Sequence, residues 1–217
     1  MRVVIAGGHG QIALRLTQLL ADRGDTVLGV VRNPDHVADV RAAGGEAIVL
    51  DLEHAATEQV ADAVSGADAV VFAAGAGAGS GVARKDTVDR AAAVLLADAA
   101  ESAGVRRYVQ VSAMGLDRPE DPRMPEVFAA YLRAKAAADA DLMTRDLDWT
   151  ILKPGGLTND PATGTVTLAE HVPLAMVTRD DVAAVLAGLL DRPSTAGKVL
   201  ELVGGGVPID RALDEIA

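Results

Sequence analysis

The sequence predicts an α/β protein built on one doubly wound parallel sheet, with a small C-terminal cap. Three observations carry that expectation. Short β-branched runs alternate with Ala- and Leu-rich stretches of helical length. The links between them are short and rich in glycine. A glycine cluster follows the first run at once. A chain of 217 residues suits one domain with a sizeable core. No linker or second core interrupts it, so residues 1–217 are read as one domain, with 155–217 contributing the cap on its substrate side.

Each element has its own signature. Val3, Val4 and Ile5 form a continuous apolar run, as a strand buried on both faces requires. Residues 11–22 carry Ile12, Leu16, Leu19 and Leu20 on one helical stripe, closed by Gly24. A strand at 27–31 leads into a helix over 34–43, closed by Gly44 and Gly45. A strand at 47–50 leads into a helix over 55–64, closed by Gly66. A strand at 69–74 precedes a long Ala-rich helix over 86–103, closed by Gly104. The strand at 108–112 precedes the longest helix, over 126–145. A strand at 149–152 then stops at Pro154. Beyond it the pattern loosens into a short strand at 165–168, a helix over 180–190, a strand at 199–203 and a final helix over 208–216. With right-handed crossovers, this alternation leaves a doubly wound sheet, the Rossmann fold, as the simplest topology.

Composition removes several classes of function. Half of the residues are hydrophobic and 24% are charged, which excludes disorder. With no cysteine there is no disulfide, thiolate nucleophile or cysteine-ligated metal centre. His36, His54 and His171 are dispersed, so no metal site is expected. A net charge of −11 and a pI near 4.7 disfavour nucleic acid or an anionic membrane as partner. No signal-peptide h-region precedes Val3, and no apolar stretch approaches membrane-spanning length. The expectation is a cytoplasmic protein whose partner is a small-molecule substrate; a homodimer is left open. The aromatic side chains are only Trp149, Tyr108, Tyr131, Phe72 and Phe128, so a tyrosine near a lysine calls for an explanation.

The stretch Gly7-Gly8-His9-Gly10-Gln11-Ile12-Ala13 leaves the first strand and opens the first helix. Gly7 allows the sharp turn, Gly10 lets backbone approach a pyrophosphate, and Ala13 keeps the helix close to the sheet. The helix N-terminus adds unbonded N–H groups and positive dipole. In this strand-to-helix context the spacing reads as a dinucleotide loop rather than a plain turn. His9 reads as an adaptable loop residue first and a phosphate neighbour second. The end of the second strand, Val31-Arg32-Asn33-Pro34, lacks the acid that would bond the adenosine ribose of NAD. Arg32 instead suits a 2′-phosphate, favouring NADP(H), with a solvated arginine as the alternative. Asp51 and Leu52 end the third strand where an adenine would lie; helix capping by Asp51 is equally open. Ala73, Ala74 and Gly75 end the fourth strand, small enough for a ribose to pass, and 75–81 read as mobile.

Together these stretches resemble the short-chain dehydrogenase/reductase superfamily, in the atypical NAD(P)H-binding branch that includes NmrA-like proteins and small flavin/biliverdin reductases. The likeness runs almost end to end. It includes Tyr108-Val109-Gln110-Val111-Ser112 as fifth strand, Tyr131-Leu132-Arg133-Ala134-Lys135 as Tyr-x-x-x-Lys, Lys153-Pro154-Gly155-Gly156 as the turn after the sixth strand, and Thr178-Arg179-Asp180-Asp181 as a late helix start. The resemblance implies catalysis by Tyr131, Lys135 and Ser112. It implies cofactor contacts from Gly7, Gly8, His9, Gly10, Gln11, Ile12, Arg32, Asp51, Leu52, Ala73, Ala74, Gly75, Lys135, Pro154 and Gly155. Residues four apart share a helix face, so Lys135 would hold the nicotinamide ribose and lower the Tyr131 pKa, readying it to exchange a proton with a substrate oxygen. Ala113 occupies the position where the superfamily usually places its Ser or Thr, which leaves Ser112 as the nearest substitute.

Three functions follow. The first is an NADPH-dependent oxidoreductase passing hydride to a small carbonyl, quinone or flavin-type acceptor. The second is a non-catalytic NADP(H)-binding redox sensor. The third, a sugar-nucleotide epimerase or dehydratase, is ranked last because those enzymes carry a larger C-terminal substrate domain. Substrate contacts are expected from 75–81, 115–125 and 156–171, and the proline-rich 117–125 stretch reads as a loop near the nicotinamide end. Asp139, Asp141, Asp146 and Asp148 read as a solvated face.

Overall fold

The computed structural model describes residues 1–77, 79–116 and 123–217. Residues 117–122 of the proline-rich stretch, and Ala78, lie outside the described residues.

The first half is regular alternation. Strand β1 (Arg2–Ala6) leads to α1 (Gln11–Asp22), β2 (Thr26–Val31) to α2 (Val37–Ala42), and β3 (Glu46–Val49) to α3 (Thr57–Val64). After β4 (Ala69–Phe72) the chain enters α4 (Val82–Arg84), passes through a π-helical segment, Lys85–Ala91, and continues as α5 (Ala92–Ser102). Strand β5 (Arg107–Val111) is followed by α6 (Glu126–Leu142). Strand β6 (Asp148–Pro154) then leads directly to β7 (Gly156–Thr158). The chain ends with β8 (Thr165–Ala169), β9 (Met176–Thr178), α7 (Arg179–Leu190), β10 (Lys198–Gly204), β11 (Val207–Pro208) and α8 (Ile209–Ile216).

Among the described residues, nine strands form one sheet in the order β11-β8-β10-β6-β5-β4-β1-β2-β3. All pairs from β3 to β10 are parallel; β8 runs antiparallel to β10 and to β11. The sheet is thus the expected doubly wound one with an antiparallel edge. Val3, Val4 and Ile5 are fully buried because helices cover both faces. One apolar layer packs α1, α7 and α8 against the sheet through Leu16, Leu20, Leu186, Leu189 and Leu213. The opposite layer packs α3, α5 and α6 through Val60, Val64, Leu96, Tyr108 and Leu142.

Residues 155–217, expected as a cap, supply β8, β10 and β11 to this same sheet and lay α7 and α8 on its face. Only the small β7–β9 pair stands apart from it. Arg107 ties the two parts together. From β5 its buried guanidinium donates to the carbonyl of Leu189 at the end of α7 (2.7 Å) and to Thr195 Oγ1 (3.0 Å). Burial pulls its pKa down to about 10.

The strand order reverses between β1 and β4, both of which leave the sheet at their C-terminal ends. In open α/β sheets a crevice forms at that switch point. The glycine loop after β1 and the Ala73–Gly75 strip after β4 both lie there.

Candidate active site

The crevice has two chambers. The smaller, about 240 Å³, is lined by Gly7, His9, Gly10, Arg32, Asp51, Leu52, Glu53 and Arg84, among others. The larger, about 590 Å³, gathers Ile12, Lys85, Asp89, Ser112, Ala113, Tyr131, Lys135, Pro154 and Gly155. Gly10, Ala73, Ala74 and Gly75 line both. The structure therefore brings nearly all of the expected site residues to one cleft. Gly8 and Gln11 are exceptions among the linings.

The loop geometry explains its glycines. Gly7 sits at φ +79°, and a Cβ there would lie 2.6 Å from the Ala74 Cα. A Cβ on Gly8 would lie 2.7 Å from the Cα of Gly29, so Gly8 serves backbone packing against β2. Gly10 begins α1 with no side-chain cap and no acid in the first turn. The first amides of that helix lack intrahelical partners and carry the positive dipole end. This uncapped terminus, reached past glycines where a Cβ would collide, fits a dinucleotide pyrophosphate. His9 stands at the rim, stacked on His36 with ring centroids 3.6 Å apart and bonded through Nε2 to Asp39 (2.7 Å). Asp51 caps no helix. Its Oδ1 accepts the Glu53 amide at 3.1 Å, closing the turn after β3.

At the outer end of the smaller chamber, Arg32 donates to Glu53 (3.0 Å). Arg84 donates to the same carboxylate (2.7 Å), and so does Thr87 Oγ1 (2.6 Å). These bonds, Arg84's foremost, hold the Glu53 carboxyl down to about 2.

In the larger chamber, Tyr131, Lys135 and Asp139 follow at four-residue spacing along one face of α6. Lys135 is only 4% exposed. Its Nζ donates to the carbonyls of Val111 (3.1 Å) and Ala74 (3.4 Å) and lies 3.7 Å from Asp89 Oδ1. Burial pulls its pKa down, against the pull of Asp89 and Asp139. Asp89 is fully buried, and burial pushes its pKa up. Its Oδ2 accepts the Ala76 amide (3.2 Å), whereas its Oδ1 has no hydrogen-bond partner. The π-helical turn carries both Lys85 and Asp89 into the chamber, a frequent use of such segments at functional sites. Lys85 Nζ lies 5.5 Å from the Tyr131 ring centroid and donates to the Gly77 carbonyl.

Two expectations are reversed here. Tyr131 does not have a lowered pKa; burial, reinforced by Asp89 and Asp139, pushes it up to about 12. Among the described residues no hydrogen bond joins Tyr131 to Lys135 or Ser112, because Lys135 is engaged by Asp89 and two carbonyls. Asp139 is not on a solvated face. It is 2% exposed and accepts Gln110 (2.7 Å) and Ser112 Oγ (2.8 Å), with Lys153 at 3.4 Å. Burial pushes its pKa up as well. Ser112 thus lines the chamber with its hydroxyl turned to Asp139. Asp146 and Asp148 do face solvent, paired with Arg106.

Sequence reasoning missed Asp89, Asp139, Lys85, Glu53 and Arg84. Two signals were present. Asp89 lies three residues before Ala92 and so on the buried face of its helix, and Asp139 continues the Tyr131–Lys135 row.

A parallel sheet with a glycine loop, an uncapped helix terminus and a two-chambered cleft at the switch point defines a dinucleotide-binding α/β protein. Residues 7–193 match the NAD(P)H-binding family, and the chain belongs to it, in the atypical short-chain dehydrogenase/reductase branch. It is 36% identical to a Bacillus subtilis protein named as an uncharacterized sugar epimerase, YhfK, over all of both chains. It is 34% identical to a candidate NAD-dependent epimerase/dehydratase from Bacillus halodurans, with TM-score 0.91 over 99% of each chain. An anaerobillin reductase from Escherichia coli O157:H7, ChuY, is 25% identical, with TM-score 0.80 over 95% of this chain and 98% of that one. The relatives thus carry epimerase and reductase names. Among the described residues no helix is long and apolar enough to cross a membrane.

Proposed function

We propose that the chain is an NADPH-dependent oxidoreductase acting on a small carbonyl, quinone or flavin-type acceptor. The observation that carries this reading is the larger chamber itself, where Tyr131, Lys135 and Ser112 stand beside the strip that continues the glycine loop. A bound nicotinamide dinucleotide would supply the hydride. The residues of the chain do the rest. The terminus of α1 holds pyrophosphate, and Arg32 holds a 2′-phosphate. Lys135, anchored on the carbonyls of Ala74 and Val111, presents its ammonium to a ribose hydroxyl. Tyr131 keeps its phenolic proton throughout the neutral range, since its pKa is raised to about 12. A protonated phenol suits reduction, in which the acceptor oxygen must gain a proton.

A second reading, a non-catalytic NADP(H)-binding sensor, is favoured by the Ser112–Asp139 bond, which occupies the hydroxyl that would polarise a substrate. The epimerase names among the relatives supply a third reading, in which no net nucleotide is consumed. Purified protein should oxidise NADPH with some member of a panel of carbonyl, quinone and flavin acceptors. Tight NADPH binding with no turnover on any acceptor overturns the reductase reading. Tyr131→Phe then separates the first two: lost turnover with intact binding supports the reductase, and unchanged biological activity supports the sensor.

A further inference from the structure

Three elements converge on Glu53. Arg32 comes from the end of β2, Glu53 from the turn after β3, and Arg84 and Thr87 from α4 and the π-helical segment. The carboxylate takes a hydrogen bond of 3.0 Å or less from each of Arg32, Arg84 and Thr87, and a second, longer one (3.4 Å) from Arg84 Nε, while Glu53 is only 15% exposed. Two guanidinium groups and a hydroxyl converge on one carboxylate, the donor set of an anion site, with the Asp51 carboxylate also acting on Arg84. Guanidinium forks match phosphate oxygens at least as well as carboxylate oxygens. A phosphate monoester brings a larger charge and three acceptor oxygens. The carboxyl, held at about 2, does not leave by protonation at neutral pH; another anion must displace it.

We infer that Glu53 occupies the donors a ribose 2′-phosphate takes, so that Arg84, with Thr87, is the second half of that phosphate site and Glu53 is its built-in competitor. This rests on the NADP(H) reading of Arg32 above. An unphosphorylated ribose presents a hydroxyl, which donates to Glu53 and leaves both arginine pairs in place. The phosphorylated nucleotide must break them. Glu53 therefore compresses the preference for NADP(H) over NAD(H) that the two arginines would otherwise give.

Dissociation constants of NADP⁺, NAD⁺, 2′,5′-ADP and 5′-AMP, measured by titration calorimetry on wild type and variants, test this without any turnover. Arg84→Gln should weaken NADP⁺ and 2′,5′-ADP about tenfold and leave NAD⁺ and 5′-AMP within about twofold, since one charged contact is lost. Glu53→Gln should tighten NADP⁺ and 2′,5′-ADP about tenfold, a gain that misfolding cannot imitate. The inference falls if Arg84→Gln weakens all four ligands equally, or none of them, or if Glu53→Gln fails to favour the phosphorylated pair. If Arg32→Ala loses NADP⁺ selectively while Arg84→Gln does not, the Arg32 reading stands and this one fails. If wild type binds none of the four, both fail together.

Discussion

Lys135→Met removes the cation from a buried pair, and its cost follows from the geometry. Nζ lies 3.7 Å from Asp89 Oδ1, with side-chain exposures of 5% and 0%. At that separation the attraction is about 4 kcal/mol for an effective dielectric near 20. The substitution also leaves Asp89 buried with only the Ala76 amide and the nearby Lys85 to oppose its charge. Breaking a buried pair from one side typically costs about 3–5 kcal/mol. For a chain of this size that corresponds to a fall in Tm of about 6–20 °C. Asp89→Asn alone should cost less, because the amide retains an acceptor for Ala76. The double variant should recover much of the loss, giving a coupling of at least about 1–2 kcal/mol in a double-mutant cycle. Denaturant titration at pH 7 and calorimetry measure all three. A Lys135→Met cost below about 1 kcal/mol, with no recovery on adding Asp89→Asn, would refute the account of a buried, mutually dependent pair.

Other outcomes follow from the same structure. Both tyrosines are buried with raised pKa values, so ultraviolet titration should detect no phenolate below about pH 10. The Tyr131 component, isolated by subtracting the Tyr131→Phe titration, should have its midpoint near 12; a phenolate titrating near neutrality would contradict this. Glu53 is lowered to about 2 from an ordinary value of 4.5, so its stabilising contribution is complete above about pH 5 and lost as pH falls through about 2. Glu53→Gln should therefore flatten the acid limb of the stability profile in that window, and an unchanged limb would count against the Arg84 and Arg32 bonds. Gly8→Ala forces a Cβ to within 2.7 Å of the Gly29 Cα, and it should cost about 1–3 kcal/mol and weaken nucleotide binding by moving the loop. A variant of wild-type stability and affinity would show that β2 yields there.

The sheet was readable because burial on two faces writes itself as unbroken apolar runs, as at Val3, Val4 and Ile5. The glycine loop was readable because backbone approach permits few alternatives at Gly7 and Gly10. What escaped has physical reasons. Strands β7, β9 and β11 span three, three and two residues, too short for any periodicity. The π-helical segment has the composition of an α-helix, so the 86–103 reading missed its onset at residue 82 and its widened turn. Asp139 was misplaced because a carboxylate among Asp141, Asp146 and Asp148 looks solvated, although its helical phase sets it beneath Lys135. The Tyr131 pKa was misjudged for a related reason. The lysine four residues on was visible; the burial of the Tyr131 ring, and the buried Asp89 and Asp139 carboxylates that add to it, were not.

The strip shared by both chambers has a consequence for the order of events. Gly10, Ala73, Ala74 and Gly75 line the smaller chamber and the larger one alike. A dinucleotide bound as proposed, extending from one chamber into the other, would cover that strip and become part of the wall against which an acceptor would rest. An acceptor arriving first would meet an unfinished pocket and would obstruct the path of the nucleotide. Under the reductase function proposed above, steady-state kinetics should accordingly show a compulsory sequence: nucleotide enters first, acceptor second, reduced product departs, and oxidised nucleotide leaves last.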